Sequence, residues 1–338
     1  MKKVLVTGIS GYIGNHCAVE LLKNGYSVRG SLRDLSKSKI TVDAIKKEVN
    51  PKDNLEFCEL DLLKDDGWDK AMEGCQYVLH VASPYINYEP KDENLYIKPA
   101  IEGTDRALKS AKKAGVKRIV ITSSLVSMMG DANKSININH KSWTNVKAKN
   151  VSAYMKSKTL AEKSAWEFIK NQKNTSKMEL VVINPGPVFG PTLSGDLNGA
   201  SMILFKKMIE GKMPLVPKAA LNMSDVRDIA KIHVLSLENK KANGKRFIVT
   251  TEKPYKFQDL AQILKSNGYN KVSTIQAPNF LLNFLSNFDR EARSMRGVVG
   301  KTYSADVSST ETIFNWKPIE IEKTVLDTAA SIKDALKK

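Results

Sequence analysis

Cysteine and histidine are scarce in this chain, and long apolar runs are missing. Three cysteines, Cys17, Cys58 and Cys75, are spread over 338 residues with no Cys-x-x-Cys spacing. An odd number so placed makes no disulfide framework and points to reduced thiols, hence to a cytoplasmic location. Four isolated histidines (His16, His80, His140, His233) offer no ligand spacing, so no metal is expected. No apolar stretch approaches a membrane span, and Met1-Lys2-Lys3-Val4-Leu5-Val6-Thr7-Gly8 breaks into glycine too early for a signal-peptide core. Neither a membrane nor a secretory route is expected. Clustered charge is missing too: the net charge is +17, but the lysines are scattered, with no basic tail and no basic strand interleaved with aromatics. That distribution suits a polyanionic small ligand and gives no reason to expect nucleic acid.

What is present is material for a large core, with 42% hydrophobic residues, enough for one large domain or two ordinary ones without staples. Val4 to Thr7 is a β-type run that ends in Thr7-Gly8-Ile9-Ser10-Gly11-Tyr12-Ile13-Gly14, and His16 to Lys23 reads as a helix. Strand, glycine-rich turn, helix is the context in which Gly-x-x-Gly-x-x-Gly cradles a pyrophosphate: glycines let the backbone approach closely, and the helix N-terminus faces the charge. A second strand, Ser27 to Leu32, ends in Arg33-Asp34-Leu35-Ser36-Lys37-Ser38-Lys39. An acidic residue at this tip bonds the ribose 2′-hydroxyl of NAD, and a basic one receives the 2′-phosphate of NADP. Arg33 comes first and Lys39 is near, which favours NADP(H); Asp34 keeps NAD open.

Further strands are expected over Leu55 to Leu60, Gln76 to Ala82, Arg118 to Thr122 and Glu179 to Ile183, with a helix from about Ile97 to Ala114. Strands alternating with helices indicate an α/β fold with a doubly wound parallel sheet, in which ligands sit at the carboxyl ends of the strands. The fifth strand delivers Ser123 and Ser124 to that end. Asn184-Pro185-Gly186-Pro187-Val188-Phe189-Gly190-Pro191 halts regular structure, and the change of domain is expected there. Residues 1–185 are read as the Rossmann cofactor domain, with 222–252 returning to it. Residues 186–221 and 253–338 are read as a smaller, helix-rich substrate domain.

Between them lies Tyr154-Met155-Lys156-Ser157-Lys158, opening a stretch whose apolar residues Leu160, Ala161, Ala165, Phe168 and Ile169 recur at helical spacing. Tyr154 and Lys158 therefore share a helix face. A free phenol has a pKa of about 10, and a neighbouring ammonium lowers it towards useful acid-base chemistry. The same spacing also occurs on ordinary solvated helices, so the pair gains meaning only from the rest of the chain.

With Thr7-Gly8-x-x-Gly11-x-x-Gly14, Ser123-Ser124 and Tyr154-x-x-x-Lys158 in order, the sequence resembles the extended short-chain dehydrogenase/reductases. More narrowly it is similar to the dihydroflavonol-reductase, cinnamoyl-CoA-reductase and yeast-type methylglyoxal (ketone) reductase group. The narrower likeness rests on Asp61-Leu62, His80-Val81-Ala82-Ser83-Pro84, Ile97 to Thr104, Ser157-Lys158-Thr159-Leu160-Ala161-Glu162, and Asn184 to Pro191. The second half fits less densely, through Asp225-Val226-Arg227-Asp228, Gly244 to Ile248 and Asn315 to Glu320.

The resemblance implies a catalytic set of Ser124, Tyr154 and Lys158: the tyrosine as proton donor to a carbonyl, the lysine lowering its pKa and bonding the nicotinamide ribose, the serine holding the carbonyl oxygen. It implies cofactor contacts at Thr7, Gly8, Gly11, Tyr12, Ile13, Gly14, Arg33, Lys39, Asp61, Leu62, Val81, Ala82, Ser83, Tyr154, Lys158, Pro185, Gly186 and Val188. Around the reacting carbon it places Tyr85, Met128, Met129 and Pro187.

Met129 stands where plant flavonoid reductases carry a polar residue, which argues against a polyhydroxylated flavonoid. Met129-Gly130 replaces the Tyr-Gly of nucleotide-sugar epimerases. The expected function is NADPH-dependent reduction of an aldehyde or ketone with an apolar or aromatic body by a monomer or homodimer. The alternatives are an NAD-dependent hydroxysteroid or sugar-nucleotide dehydrogenase or epimerase, and a non-catalytic NADPH sensor.

Overall fold

Short β-branched runs alternating with amphipathic helices build one parallel sheet in the computed structural model, which describes residues 1–84, 90–131, 136–149, 151–173, 177–278 and 303–337. In chain order the strands are β1 (Lys3–Thr7), β2 (Ser27–Leu32), β3 (Leu55–Glu59), β4 (Tyr77–His80), β5 (Arg118–Thr122), β6 (Ile136–Ile138), β7 (Glu179–Pro185), β8 (Val188–Phe189), β9 (Ala220–Leu221), β10 (Ser224–Asp225), β11 (Lys245–Val249), β12 (Tyr255–Lys256) and β13 (Tyr303–Ala305). The helices are α1 (Tyr12–Lys23), α2 (Ser38–Lys46), α3 (Trp68–Met72), α4 (Asn94–Lys113), α5 (Ala153–Lys170), α6 (Ala200–Ile209), α7 (Val226–Ser236), α8 (Phe257–Ser266), α9 (Ser308–Phe314) and α10 (Ile321–Ala335).

The main sheet has the order β11-β7-β5-β4-β1-β2-β3, with parallel pairing throughout. The chain runs outward from β1 to β3, then crosses back to β4. The strand order reverses at β1 and β4, so a crevice opens above their carboxyl ends, where open α/β sheets bind ligands. Central strands such as β5 are buried at every position, as expected of a sheet covered on both faces. On one face Val19 and Leu21 of α1, Ile45 of α2 and Ile229 of α7 pack over Val4, Val28 and Val120. On the other, Trp68, Ala107, Leu108 and Ala165 from α3, α4 and α5 cover Leu5, Val78 and Ile119.

A third core belongs to the C-terminal half, where Phe189, Met202, Phe205, Phe257, Leu260, Val325 and Ile332 cluster. Its last helix, α10, buries Ile321, Val325, Ala329 and Ile332, a stripe at helical spacing that has nowhere to go but this core. The return of the chain to the main sheet comes through β11, which pairs with β7 from Lys245 opposite Val181 to Val249 opposite Pro185.

One element differs from the sequence expectation. Helix α1 begins at Tyr12 rather than His16, because the glycine turn runs straight into it. The segment after β2 forms a short 3-10 turn, capped by Asp34, whose side chain accepts from Ser36 N, and α2 follows it. Among the described residues no helix is long and apolar enough to cross a membrane, and no cluster of three or more His, Cys, Asp or Glu side chains could hold a metal.

Candidate active site

The glycine turn is held by contacts that tolerate no larger residue. Gly8 has φ +68°, a conformation that favours glycine, and its N–H donates to Ser31 Oγ at 3.1 Å. Gly11 N–H donates back to Gly8 O at 3.0 Å. A Cβ on Gly14 would lie 2.2 Å from Gly8 O, so α1 sits as close to the turn as backbone allows. The N-terminus of α1 has no side-chain cap, which leaves its first-turn N–H groups without a capping side chain, an arrangement that suits a phosphate. Tyr12 is turned elsewhere: its hydroxyl donates to Gly190 O at 2.7 Å, so only its backbone remains for a ligand. Ile13 is half-buried beside it.

Thr7, at the end of β1, ties this turn to the next strand. Its Oγ1 accepts from Ala82 N at 3.1 Å and lies 3.0 Å from His80 Nδ1. Burial and the nearby Lys158 charge pull His80 down to about 3, so the ring is neutral and Nδ1 shares one hydrogen bond with the threonine hydroxyl. Val81, Ala82 and Ser83 are half-buried along the crevice. Asp61 is committed to its own turn through Leu63 N, 2.9 Å from its Oδ1. Leu62, Ala82, Ser83, Thr122 and Lys158 share one small cavity of about 20 Å³, room for roughly one water.

At the tip of β2 Arg33 is exposed and takes no partner among the described residues. The Asp34 carboxylate accepts from Ser36 Oγ at 2.6 Å and Ser36 N at 3.0 Å, bonds that hold its pKa below the ordinary carboxylate value. Lys39 is exposed in the first turn of α2.

Helix α5 starts where it does because Ser152 caps it, accepting from Met155 N at 3.2 Å. The cap puts Tyr154 in the first turn and Lys158 in the second. The Tyr154 ring packs edge-on against Tyr96 of α4, centroids 5.9 Å apart, which fixes its plane. Lys158 is buried, and its Nζ donates to Thr122 O at 3.4 Å. That bond brings it to the end of β5, two residues from Ser124. Burial lowers the Lys158 pKa to about 8, against the opposing pull of the Glu162 charge.

Ser124 begins a short 3-10 turn, Leu125–Met128, and its Oγ lies 3.4 Å from Pro185 O at the end of β7. Ser123 points the other way, donating to Glu162 Oε2 at 2.6 Å. Of the two serines, the second is thus the one not engaged by the buried carboxylate. At β7, Gly186 N donates to Ser224 Oγ at 2.8 Å, and a Cβ there would lie 2.1 Å from Asn222 O. Val188 and Pro187 are half-buried next to it.

The apolar candidates fare differently. Met128 is 0% exposed and Met129 7% exposed, and both pack in the core that contains Leu125, Ile138 and Met155. Met128 therefore has no surface to offer a substrate, which corrects its expected place in the cleft. Tyr85 lies outside the described residues.

Sequence reasoning passed over His80 as a pin between β1 and β4, and over the pairing of Glu162 with Arg246, whose side chains are 0% and 7% exposed. Breaking such a buried pair from one side costs about 3–5 kcal/mol.

The sequence pattern of the NAD dependent epimerase/dehydratase family matches residues 4–250. The chain belongs to that family. Within this epimerase/dehydratase family it is 33% identical over 268 residues to cinnamoyl-CoA reductase CAD2 of Medicago truncatula, covering 78% of this chain and 79% of the relative. It is 32% identical over 284 residues to NADPH-dependent methylglyoxal reductase GRE2 of Saccharomyces cerevisiae, covering 78% and 82%. The fold matches the crystal structure of yeast methylglyoxal/isovaleraldehyde reductase Gre2 complexed with NADPH at a TM-score of 0.80, with 26% identity and 98% of both chains covered. These relatives are oxidoreductases, and the family chain described here is related to reductases.

Proposed function

We propose that this protein is an NADPH-dependent carbonyl reductase that converts an aldehyde or ketone to the alcohol, with Ser124, Tyr154 and Lys158 as its catalytic residues. The observation that carries the proposal is the reach of Lys158 from α5 to the carboxyl end of β5, beside the turn that Ser124 opens. Lys158 reaches Thr122 O, Ser124 opens the following turn, and Tyr154 lies one helical turn before Lys158 on α5. The glycine turn, the uncapped start of α1 and the crevice at the strand reversal fit a dinucleotide. When bound, the nicotinamide supplies a hydride to the carbonyl carbon. Tyr154 gives its hydroxyl proton to the carbonyl oxygen, and Ser124 holds that oxygen by a hydrogen bond. The Lys158 ammonium stabilises the phenolate that is left. Pro187, half-buried beyond the end of β7, supplies apolar surface near the reacting carbon. A panel of aldehydes, α-diketones and β-keto esters, assayed with NADPH, tests the reading; no turnover of any of them would count against it.

The cofactor follows from Arg33. Asp34 is drawn into its own turn, which leaves the guanidinium as the group presented to a 2′-phosphate, with Lys39 as a second cation; NADPH-dependent GRE2 and the NADPH-bound neighbour support the same reading. A charge-assisted bond to phosphate contributes roughly 1.5–3 kcal/mol, so NADPH should be preferred over NADH by more than about tenfold. Arg33→Ala should raise the KM for NADPH by about that factor and leave that for NADH almost unchanged. Equal efficiency of the wild type with both cofactors would sink the assignment.

The pH dependence follows from Lys158. Its pKa is lowered to about 8, so the ammonium is complete below that value and is lost as pH rises through it. With the ammonium goes the stabilisation of the phenolate. The profile of kcat/KM for reduction should therefore be level at neutral pH and fall on the alkaline side with a midpoint near 8. A profile flat up to about pH 10, the ordinary lysine range, would contradict this role.

A further inference from the structure

Glu162 stands one turn beyond Lys158 on α5 and has no accessible side-chain surface. Both of its oxygens are taken. Oε1 accepts from Arg246 Nε at 2.5 Å and Trp166 Nε1 at 3.2 Å. Oε2 accepts from Ser123 Oγ at 2.6 Å, Asn184 Nδ2 at 2.9 Å and Arg246 Nη2 at 3.2 Å, and it lies 2.8 Å from Ser127 Oγ. Asn184 Nδ2 is also 3.2 Å from Ser124 O. The donors thus come from the residue after β5, the turn that follows, β7, β11 and α5 itself, and two of them, Asn184 and Ser127, also donate to Ser124 O.

Arg246 extends the network outward. Its Nη1 donates to Ser142 O at 2.6 Å and His140 O at 3.2 Å, and its guanidinium carbon sits 3.7 Å from the centre of the Trp143 ring. The next residue, Thr144, clamps the serine turn from the other side: its Oγ1 donates to Val126 O at 2.6 Å and accepts from Met129 N at 2.8 Å, and its N donates to Ser127 O at 2.8 Å. The turn that carries Ser124 is therefore held between Glu162 and Thr144, and Arg246 is bonded to both sides of the hold. A buried ion pair gives little stability over apolar residues of equal volume. What this one supplies that apolar residues cannot is direction.

We propose that Glu162 is a positioning residue: paired with Arg246, it fixes the turn of residues 123–128 and so aims the Ser124 hydroxyl at the place where Tyr154 and Lys158 work. The inference rests on the carbonyl-reductase reading for its kinetic consequence and on geometry alone for its structural one. Glu162→Gln by itself leaves the Arg246 charge buried without its partner, so the informative variant is Glu162→Gln with Arg246→Met, which removes both charges and keeps approximate shape.

In the full chain this double variant should melt cooperatively and bind NADPH as the wild type does. Its kcat should fall about 10- to 100-fold, the cost of a misplacement on the order of 1 Å. Amide hydrogen exchange across residues 123–129, measured without substrate, should quicken by at least about tenfold while β1 and β2 keep their protection. An unchanged kcat in a turning-over enzyme would overturn the proposal, as would unchanged exchange across the turn. So would a variant in which NADPH affinity, kcat and the melt collapse together, which is the mark of a pair needed only for folding. If the wild type reduces no carbonyl, the functional reading falls, and the exchange measurement alone decides whether the brace exists.

Discussion

Tyr154→Phe is expected to lower kcat for carbonyl reduction by about 10² to 10⁴, the usual worth of a placed general acid. The substitution removes one oxygen and nothing else. The ring keeps its edge-on contact with Tyr96, the Ser152 cap still starts α5, and Lys158 still reaches Thr122 O. NADPH affinity and the melting temperature should therefore stay near the wild-type values, and the loss should appear in kcat. Steady-state kinetics with a cofactor titration by fluorescence separate the two. If the variant reduced carbonyls at close to the wild-type rate, Tyr154 would be an ordinary helix residue.

Gly14→Ala should nearly abolish cofactor binding. The added methyl would sit 2.2 Å from Gly8 O and 2.9 Å from Ile9 Cα. Both are backbone atoms, so no side chain can swing aside, and the turn must open away from α1. Overpacking of this kind costs about 1–3 kcal/mol of stability, and it displaces the first-turn N–H groups of α1 to which the proposal assigns the phosphates. An affinity loss above about 100-fold is expected, since several charge-assisted bonds are disturbed together. Gly25→Ala is the control: Gly25 has φ +77°, and no atom lies within 4 Å of its would-be Cβ. It should lose stability through backbone strain alone and bind NADPH normally. Tight NADPH binding by folded Gly14→Ala would show that the turn is not a phosphate cradle.

What the sequence made legible is what lies close together along the chain. The glycine turn and the Tyr154-Lys158 pair each occupy fewer than three helical turns, and their geometry is dictated by local periodicity, so they stand in the structure where spacing puts them. The alternation of strand and helix likewise carries the parallel sheet, including the return of β11. The hold on Ser124 was not legible, because Glu162 and Arg246 are 84 residues apart and nothing local couples them. The pairing of β6 with β13, residues 136–138 with 303–305, was hidden for the same reason, and strands of three residues leave no periodicity to read. Met128 shows a different limit: a pocket wall and a core both call for an apolar side chain, and only its lack of accessible surface separates them. Asp34 was ambiguous until its bonds to Ser36 showed where its carboxylate goes.

The central claim is that hydride passes from NADPH to a carbonyl carbon at the end of β5. The direct measurement is transfer of label from NADPH carrying deuterium at the reactive C4 position of the nicotinamide, with an aldehyde or ketone from the panel and analysis of the product. The account predicts one deuterium on the carbinol carbon for each NADPH oxidised, and loss of this transfer in Tyr154→Phe. An alcohol without label, or NADPH bound by the wild type and never oxidised across the panel, would contradict it.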